Sequence, residues 1–294
     1  IMCDENTAAE SEIYLQNLSR RQFNGLAAGI AVAGMTGATV LSGTAAAETV
    51  LGTDVEIVTP DGIADAYFVH PKQGKHPAVL IWPDIMGLRS AFRGMATRLA
   101  EAGYAVLVVN PFYRSARAPV APEGASFQDP ETRAMVLPYA RRLSASTHFT
   151  DATAFIEFLD LQEAVDIQRK AATMGYCMGG PMVMRTAATK PDRIGVGASF
   201  HGGGLVTAKS DSPHLLIPDM KAEFLIAVAE NDDQREPETK DILAQAFTAS
   251  GIKSEIEVYE GAMHGWCPPD SRVYNHPQAE KAWERLLAML QRAL

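Results

Sequence analysis

Short apolar runs alternate with amphipathic stretches along this chain from residue 50 onwards, and this alternation constrains the fold more than any other feature. Continuous apolar runs such as Ala78–Trp82 and Tyr104–Val109 are typical of strands buried on both faces of a sheet. The stretch Ser90–Ala102 between them has the pattern of a helix. Further strands are predicted at 55–59, 64–69, 171–175, 194–200, 223–228 and 255–259, further helices at 150–161, 178–189, 236–249 and 278–293, and a long loop with short helices at 111–148. The alternation predicts an α/β fold, a mostly parallel central sheet with helices on both faces, forming one domain over 48–294.

Such sheets bind ligands at the carboxyl ends of their strands, so the loops after the strands are where chemistry is expected. One of these loops contains Gly175-Tyr176-Cys177-Met178-Gly179-Gly180, between a predicted strand and a predicted helix. The hexapeptide has the spacing of the G-x-S-x-G turn that presents a nucleophile above a sheet, with cysteine in place of serine. Small residues at 175 and 179 allow strand and helix to approach, and the helix N-terminus favours a thiolate. The competing interpretation is a buried structural cysteine, because cysteine is among the most buried residue types.

Two residues that suit a nucleophilic cysteine follow it in the order acid, then histidine. Asp232 comes after a predicted strand, with Asp233 as its neighbour, and His264 lies in the loop after the last predicted strand. Three suitable residues, each after a strand, favour a site made of Cys177, His264 and Asp232. His201 also follows a strand but precedes the acid, so we interpret it as a lining or structural residue. The remaining histidines are predicted to lie at the surface: His70, His76, His148, His214 and His276.

The first 47 residues differ from the rest of the chain and are predicted to be an export signal. Ser19-Arg20-Arg21-Gln22-Phe23 precedes an uncharged run rich in alanine and glycine at 25–41, and Thr44-Ala45-Ala46-Ala47 supplies small residues suited to cleavage. The arginine pair resembles a signal for the twin-arginine export machinery, with Asn24 where leucine is usual. The apolar run is too short and too glycine-rich for a stable membrane anchor. We therefore expect cleavage after Ala47 and a periplasmic or secreted mature chain.

Charge and composition argue against other classes of protein. The formal net charge of −9 opposes binding to a polyanion, so we expect no nucleic acid as a partner. Three cysteines are too few for a disulfide scaffold of this length. Neither Cys-x-x-Cys nor His-Glu-x-x-His occurs in the sequence, so no metal site is expected.

Taken together, the motifs resemble the dienelactone hydrolase family, a branch of the α/β-hydrolases with a cysteine nucleophile. The resemblance spans roughly residues 54–293 and depends on the hexapeptide around Cys177, on Ala229-Glu230-Asn231-Asp232, on Met263-His264-Gly265-Trp266 and on Pro83-Asp84-Ile85-Met86-Gly87. It implies an α/β-hydrolase fold, a small-molecule ester or lactone as the substrate, and no metal or organic cofactor.

The resemblance also implies a mechanism. His264, oriented by Asp232, helps to generate the Cys177 thiolate, which attacks the carbonyl carbon of an ester or lactone. The backbone N–H groups of Met178 and Ile85 hold the oxyanion, each contributing about 3 kcal/mol. Water activated by the histidine then hydrolyses the thioester.

Further roles follow from the same resemblance. Asp84 stands where family members typically carry a glutamate that contacts the resting thiol, so it is assigned a role in activating Cys177. Family enzymes that act on dienelactones bind the substrate carboxylate with two arginines. Arg114, with Arg117 nearby, is in the place of the first. No arginine directly follows the histidine, and Arg272 replaces the second if its loop folds back.

Several interpretations stay open at this point. Aromatic side chains that either line an apolar pocket or serve as packing are Trp82, Tyr113 and Trp266. Cys267 is interpreted as a buried apolar residue, with a disulfide to Cys177 that would block the nucleophile as the alternative. The favoured function is an exported ester or lactone hydrolase. A broad carboxylesterase or thioesterase and a catalytically silent binding protein are the other candidates.

Overall fold

Eight strands form one sheet in the computed structural model, which describes residues 9, 10, 12, 13 and 49–294. The strands are β1 (Val50–Thr59), β2 (Gly62–Pro71), β3 (Ala78–Trp82), β4 (Ala105–Val109), β5 (Ala171–Tyr176), β6 (Ile194–Phe200), β7 (Glu223–Ala229) and β8 (Ser254–Tyr259). Their order across the sheet is β1-β2-β4-β3-β5-β6-β7-β8. The pairs β1–β2 and β2–β4 are antiparallel, and every other neighbouring pair is parallel.

Helices cover both faces of this sheet. Within residues 49–294 they are α1 (Ser90–Glu101), α2 (Pro130–Ala140), α3 (Ala145–Asp160), α4 (Gly179–Thr189), α5 (Glu230–Arg235), α6 (Thr239–Ala249) and α7 (His276–Ala293), with a short 3₁₀ helix at Pro213–Asp219. Successive residues of β3 point to opposite faces: Leu80 packs in a core with α3, α4 and α6, and Val79 in a second core with α1 and α7. The predicted fold class is confirmed by this two-sided core and mostly parallel sheet.

The structure differs from the sequence prediction mainly at element ends. Helix α3 begins at Ala145 rather than at residue 150, because the Ser144 side chain accepts a hydrogen bond from the Thr147 backbone in a reciprocal capping box. Helix α2 lies within 111–148, where a loop with short helices was predicted, and the short α5, which was not predicted, follows β7 directly. No helix among the described residues is long and apolar enough to cross a membrane.

The predicted export signal falls on residues that lie, apart from 9, 10, 12 and 13, outside the described part of the chain. It therefore stays a prediction.

The parallel strands bring the candidate residues to one edge of the sheet. Asp84 follows β3, Cys177 follows β5 and His201 follows β6. Asp232 follows β7 and His264 follows β8. Because all these strands run in the same direction, their carboxyl ends place the five side chains on one side of the molecule.

Candidate active site

The turn at Cys177 has the geometry that the hexapeptide predicts. Cys177 has a left-handed backbone with φ of +53°, which is strained for any residue with a side chain. A Cβ atom on Gly175 would lie 2.5 Å from the carbonyl oxygen of Gly179. One on Gly179 would lie 2.5 Å from the carbonyl oxygen of Trp82. Glycine at 175 therefore allows α4 to leave β5 sharply, and glycine at 179 allows α4 to approach the end of β3.

Asp232 and His264 form a buried pair. The His264 ring Nδ1 lies 2.7 Å from Asp232 Oδ2, and each residue is 5% exposed. Since a carboxylate only accepts, Nδ1 of His264 carries a proton and donates it to Asp232. The neighbouring Asp233 instead binds Lys240, at 2.6 Å.

Asn231 fixes the backbone on which the histidine sits. Its side-chain oxygen accepts a hydrogen bond from the His264 backbone N–H at 2.8 Å. Its amide nitrogen donates to Glu10 at 2.7 Å, and the same carboxylate accepts a bond from Arg235. The loops after β7 and β8 are thereby joined next to Asp232.

Cys177 and His264 open onto one cavity of about 70 Å³. Its other lining residues include Asp84, Ile85, Arg89, His201, Phe127 and Arg272. The backbone N–H groups of Ile85 and Met178 donate no hydrogen bond within residues 49–294, so both can serve an incoming oxyanion. A larger cavity of about 500 Å³ between α1 and α7 contains neither Cys177 nor His264 and offers no nucleophile–base pair.

The two cysteines of the described region are in different states. Cys177 is part of a disulfide, and Cys267 is a free thiol that is 7% exposed. Burial raises the pKa of the Cys267 thiol well above its usual value. The alternative of a Cys177–Cys267 disulfide is therefore wrong, and the prediction that Cys267 is a buried apolar residue is confirmed.

Asp84 lines the cavity, but its carboxylate is bound to Arg89. Arg89 Nη1 donates to Asp84 Oδ1 at 2.8 Å and Nη2 to Oδ2 at 3.0 Å. The same guanidinium donates to both oxygens of Asp270, at 2.6 and 3.0 Å. The Met86 backbone N–H donates to Asp84 Oδ1 at 2.9 Å. Both oxygens of Asp84 thus have partners other than sulfur.

His201 packs directly on the candidate base. Its ring centre lies 5.0 Å from that of His264 and 5.1 Å from that of Trp266, both edge to face. The residue is 1% exposed, has φ of +41°, and neither ring nitrogen has a hydrogen-bond partner among the described residues. Burial lowers the pKa of His201 well below its usual value, and His264 lowers it further, so the ring is neutral.

The structure does not bring Arg114 and Tyr113 to the cavity. Arg114 makes hydrogen bonds of 2.7 to 2.9 Å with the buried Asp151 and of 2.6 to 2.9 Å with Asp61. The Tyr113 hydroxyl donates to Asp151 at 2.8 Å and lies 2.8 Å from the Thr59 hydroxyl. These residues join the β1–β2 turn to α3, which is a structural task.

The aromatic residues Trp82, Tyr113 and Trp266, considered as lining or packing residues, do not line this cavity. Trp266 is fully buried and stacks on Tyr259 with 5.2 Å between ring centres. Trp82 is fully buried too, and its indole donates to the Thr186 hydroxyl at 3.1 Å. Phe127 is the aromatic residue that lines the cavity. Both tryptophans are therefore packing residues of the core.

Arg272 does reach the cavity, because the loop after His264 folds back over it. Its Nη2 lies 3.0 Å from Asp129 Oδ2, and its side chain is 47% exposed. Arg117 binds Glu56 at the surface instead.

Sequence reasoning missed Arg89 and misplaced His148. Arg89 lies five residues after Asp84. The signal that could have indicated their ion pair is that these two charged residues flank a turn in an otherwise apolar stretch. The prediction that His148 lies at the surface is wrong: it is 7% exposed, because α3 begins early and turns this residue towards α4. No group of three or more His, Cys, Asp or Glu side chains within the described residues is arranged to hold a metal ion.

Comparison with known proteins agrees with this fold. Residues 64–294 match the model of the dienelactone hydrolase family. A "Putative carboxymethylenebutenolidase" of Escherichia coli K12 is 26% identical over 230 residues, covering 76% of this chain and 80% of that protein. The carboxymethylenebutenolidase of Rhodococcus opacus is 26% identical over 225 residues, covering 75% of this chain and 83% of its own length. A crystal structure titled as a "Putative Dienelactone Hydrolase" from Klebsiella pneumoniae superposes with a TM-score of 0.69 at 20% identity, covering 82% of this chain and 98% of that one.

Proposed function

The chain belongs to the dienelactone hydrolase family, and from this premise we propose that it hydrolyses a short ester or lactone through a thioester on Cys177. It is a lactone or ester hydrolase of the carboxymethylenebutenolidase type. The observation that carries the proposal is the buried Asp232–His264 pair, 2.7 Å apart, beside a strained cysteine on the same cavity. A structural cysteine would need neither the strain nor the pair.

In the proposed first step, His264 Nε2 takes the proton of the Cys177 thiol, and the sulfur attacks the substrate carbonyl carbon. The carbon–sulfur bond forms as the carbonyl oxygen becomes an oxyanion, held by the N–H groups of Met178 and Ile85. Each donor is expected to contribute about 3 kcal/mol to transition-state stabilisation. The tetrahedral species then collapses, and the leaving alkoxide takes the proton from the imidazolium.

In the second step, water gives a proton to His264 and attacks the thioester carbonyl. The carbon–sulfur bond breaks, the acid is released, and the imidazolium returns its proton to the sulfur, so that the Cys177 thiol is restored. Asp232 stabilises the imidazolium in both steps and fixes the tautomer of the ring. Because Cys177 is in a disulfide in this structure, the cycle begins only after that bond is reduced.

We further propose that the substrate is small and carries a carboxylate. A cavity of about 70 Å³ is small beside the roughly 300–1,000 Å³ of ordinary small-molecule sites, which favours a short acyl group. Arg272 is the cation proposed to bind the carboxylate, since its other partner, Asp129, is exposed. The charge of Arg89 is already matched by Asp84 and Asp270.

Asp84 keeps its proposed role in activating the thiol under one condition. Its carboxylate must leave Arg89 to reach the sulfur, and Asp270 is placed to keep the guanidinium paired when that happens. Export through the twin-arginine machinery to the periplasm, with cleavage after Ala47, is also a proposal; it is supported by the Arg20-Arg21 pair and the small residues before the cleavage point.

The test is a substrate panel assayed on reduced wild-type protein, Cys177→Ala and Cys267→Ala. The panel holds cis-dienelactone, a neutral δ-lactone and p-nitrophenyl esters of increasing acyl length. We expect hydrolysis by the wild type and by Cys267→Ala within about twofold of each other, and loss of nearly all activity in Cys177→Ala. Acetyl and butyryl esters should be preferred over octanoyl. Equal rates in Cys177→Ala and wild type would overturn the nucleophile assignment, and activity on p-nitrophenyl esters alone would favour a broad carboxylesterase.

A further inference from the structure

A buried arginine without a carboxylate partner lies on the other side of the Cys177 turn. Arg185 on α4 is 6% exposed, and its hydrogen-bond partners within the described residues are a histidine ring and a backbone oxygen rather than a carboxylate. Its Nη2 donates to the Asp211 backbone oxygen at 2.9 Å, and its Nη1 lies 3.0 Å from His148 Nδ1. Its Nε has no hydrogen-bond partner within residues 49–294. A buried cation is normally matched by a carboxylate or by a bound anion, and here the first is missing.

His148 adds a second unsatisfied donor. Arginine only donates, so His148 Nδ1 accepts from Arg185 and the proton of the neutral ring is on Nε2. That Nε2–H group has no partner among the described residues. Arg185 and His148 therefore each have a buried N–H group without an acceptor among the described residues.

Both side chains line a cavity of about 210 Å³ between α3, α4 and the loop that follows β6. Lys209 lies at its exposed rim, and Ala145, the first residue of α3, lies in its wall. A helix of 16 residues that begins at a cavity directs the positive end of its dipole there. Asp211 is the one carboxylate among the lining residues, and its backbone oxygen, rather than its side chain, accepts the hydrogen bond from Arg185.

From these contacts we infer that the cavity is a second anion-binding site, separate from the reaction site, which takes a small oxyanion on Arg185 and His148. The ligand class is a carboxylate or a phosphate, because either offers several acceptor oxygens to converging N–H donors. Met178, whose backbone N–H is proposed to hold the oxyanion of the reaction, lines this cavity as well. The inference does not depend on the hydrolase activity, since it concerns binding to the resting protein.

The test is isothermal titration calorimetry of the full chain with sodium phosphate and, in a separate arm, sodium malonate. Ionic strength is held constant with sodium chloride in a Tris buffer, so that general salt effects cancel. Variants are Arg185→Met, the rim variant Lys209→Met, and Arg292→Met as a matched control on α7, far from the cavity. The two arms distinguish a preference for phosphate from one for carboxylate.

We expect one saturable site in the wild type and in Arg292→Met, at least tenfold weaker binding in Arg185→Met, and two- to threefold weaker binding in Lys209→Met. If Arg185→Met does not fold, His148→Leu replaces it with the same expected loss. The inference is overturned if neither anion binds saturably to the wild type, or if the cavity variants bind as tightly as Arg292→Met. Repeating the titration with Cys177→Ala, which is expected to bind as the wild type does, separates this result from the fate of the proposed function.

Discussion

Two arginines flank the Cys177 turn in opposite electrostatic surroundings. Arg89, with 16% of its side chain exposed, is bound by both oxygens of Asp84 and both of Asp270. Burial alone would lower its pKa, but the two carboxylates overcome this and raise the pKa above its ordinary value. Burial lowers the pKa of Arg185 below its ordinary value, and the more distant Asp211 does not offset it. Beside the reaction site, the charge of Arg89 is neutralised by carboxylates of the protein itself. Between α3 and α4, the charge of Arg185 has no such partner among the described residues and is available to a bound anion.

We expect the largest effect, a loss of kcat, from a change in the Asp232–His264 pair at the reaction site. Asp232→Asn leaves the shape intact but removes the charge that stabilises the His264 imidazolium and fixes its tautomer. We expect kcat to fall by about 10⁴-fold. Asp233→Asn is the matched control, because Asp233 binds Lys240 away from the cavity and its loss should change kcat by less than about threefold. Comparable losses in both variants would remove Asp232 from its proposed role.

Replacing each arginine by methionine sharpens the comparison directly. Arg89→Met leaves Asp84, 9% exposed, without its cation, and should lower the free energy of unfolding by about 3–5 kcal/mol. Arg185→Met removes an unmatched buried charge along with two hydrogen bonds, so the change should stay within about 1 kcal/mol of zero. Urea unfolding in oxyanion-free buffer measures both. A loss above about 3 kcal/mol in Arg185→Met would mean that its charge is matched after all.

The pH dependence of the free energy of unfolding tests the surroundings of His148, which lies beside the buried Arg185. Burial, then the charges of Arg185 and Arg114, lower the pKa of His148 to about 3. The unfolded histidine has a pKa of about 6.5, so between these values the unfolded state binds the extra proton. Stability is therefore lost as the pH falls from about 6.5 towards 3, by about 1.4 kcal/mol per pH unit from this residue.

His148→Phe should remove this part of the slope, and unfolding measured between pH 4 and 7 would reveal it. His276→Phe, at an exposed position, is the control and should keep the wild-type slope. His201, whose pKa is also lowered by burial, contributes with the same sign. An unchanged slope in His148→Phe would contradict the buried neutral ring.

The smallest expected effect concerns substrate binding. Arg272→Gln should raise KM for a carboxylate-bearing lactone about tenfold, the equivalent of about 1.4 kcal/mol, and leave KM for a neutral ester unchanged. Arg114→Gln should change neither KM by more than about twofold, because Arg114 is bound to Asp61 and Asp151. A raised KM in Arg114→Gln for the anionic lactone alone would return that residue to the substrate.

Local sequence patterns predict much of the fold and of the position of the candidate site. The strand Ala78–Trp82 was predicted with its observed bounds, because a doubly buried strand is a plain apolar run. The turn at Cys177 and the residues after β7 and β8 were also readable, since chain order and strand ends determine where they lie. The roles of these side chains stay proposals.

Long-range pairing was not readable from the sequence. Arg114 was predicted to bind substrate, yet its partners Asp61 and Asp151 lie 53 and 37 residues away. Arg89 meets Asp270 across 181 residues. Which carboxylate meets which arginine depends on tertiary packing, and no local periodicity encodes it.

The central claim is that the substrate's acyl group passes through Cys177. The direct measurement is mass spectrometry of reduced protein, acid-quenched within milliseconds of mixing with p-nitrophenyl acetate and then digested. An acetyl group should appear on the peptide that contains Cys177 in the wild type and in Cys267→Ala, and that mass should decay as the ester is consumed. Two results would contradict the account. One is hydrolysis at the wild-type rate with no acyl group on that peptide. The other is Cys177→Ala protein that carries as much acyl group on other peptides as the wild type carries on the Cys177 peptide.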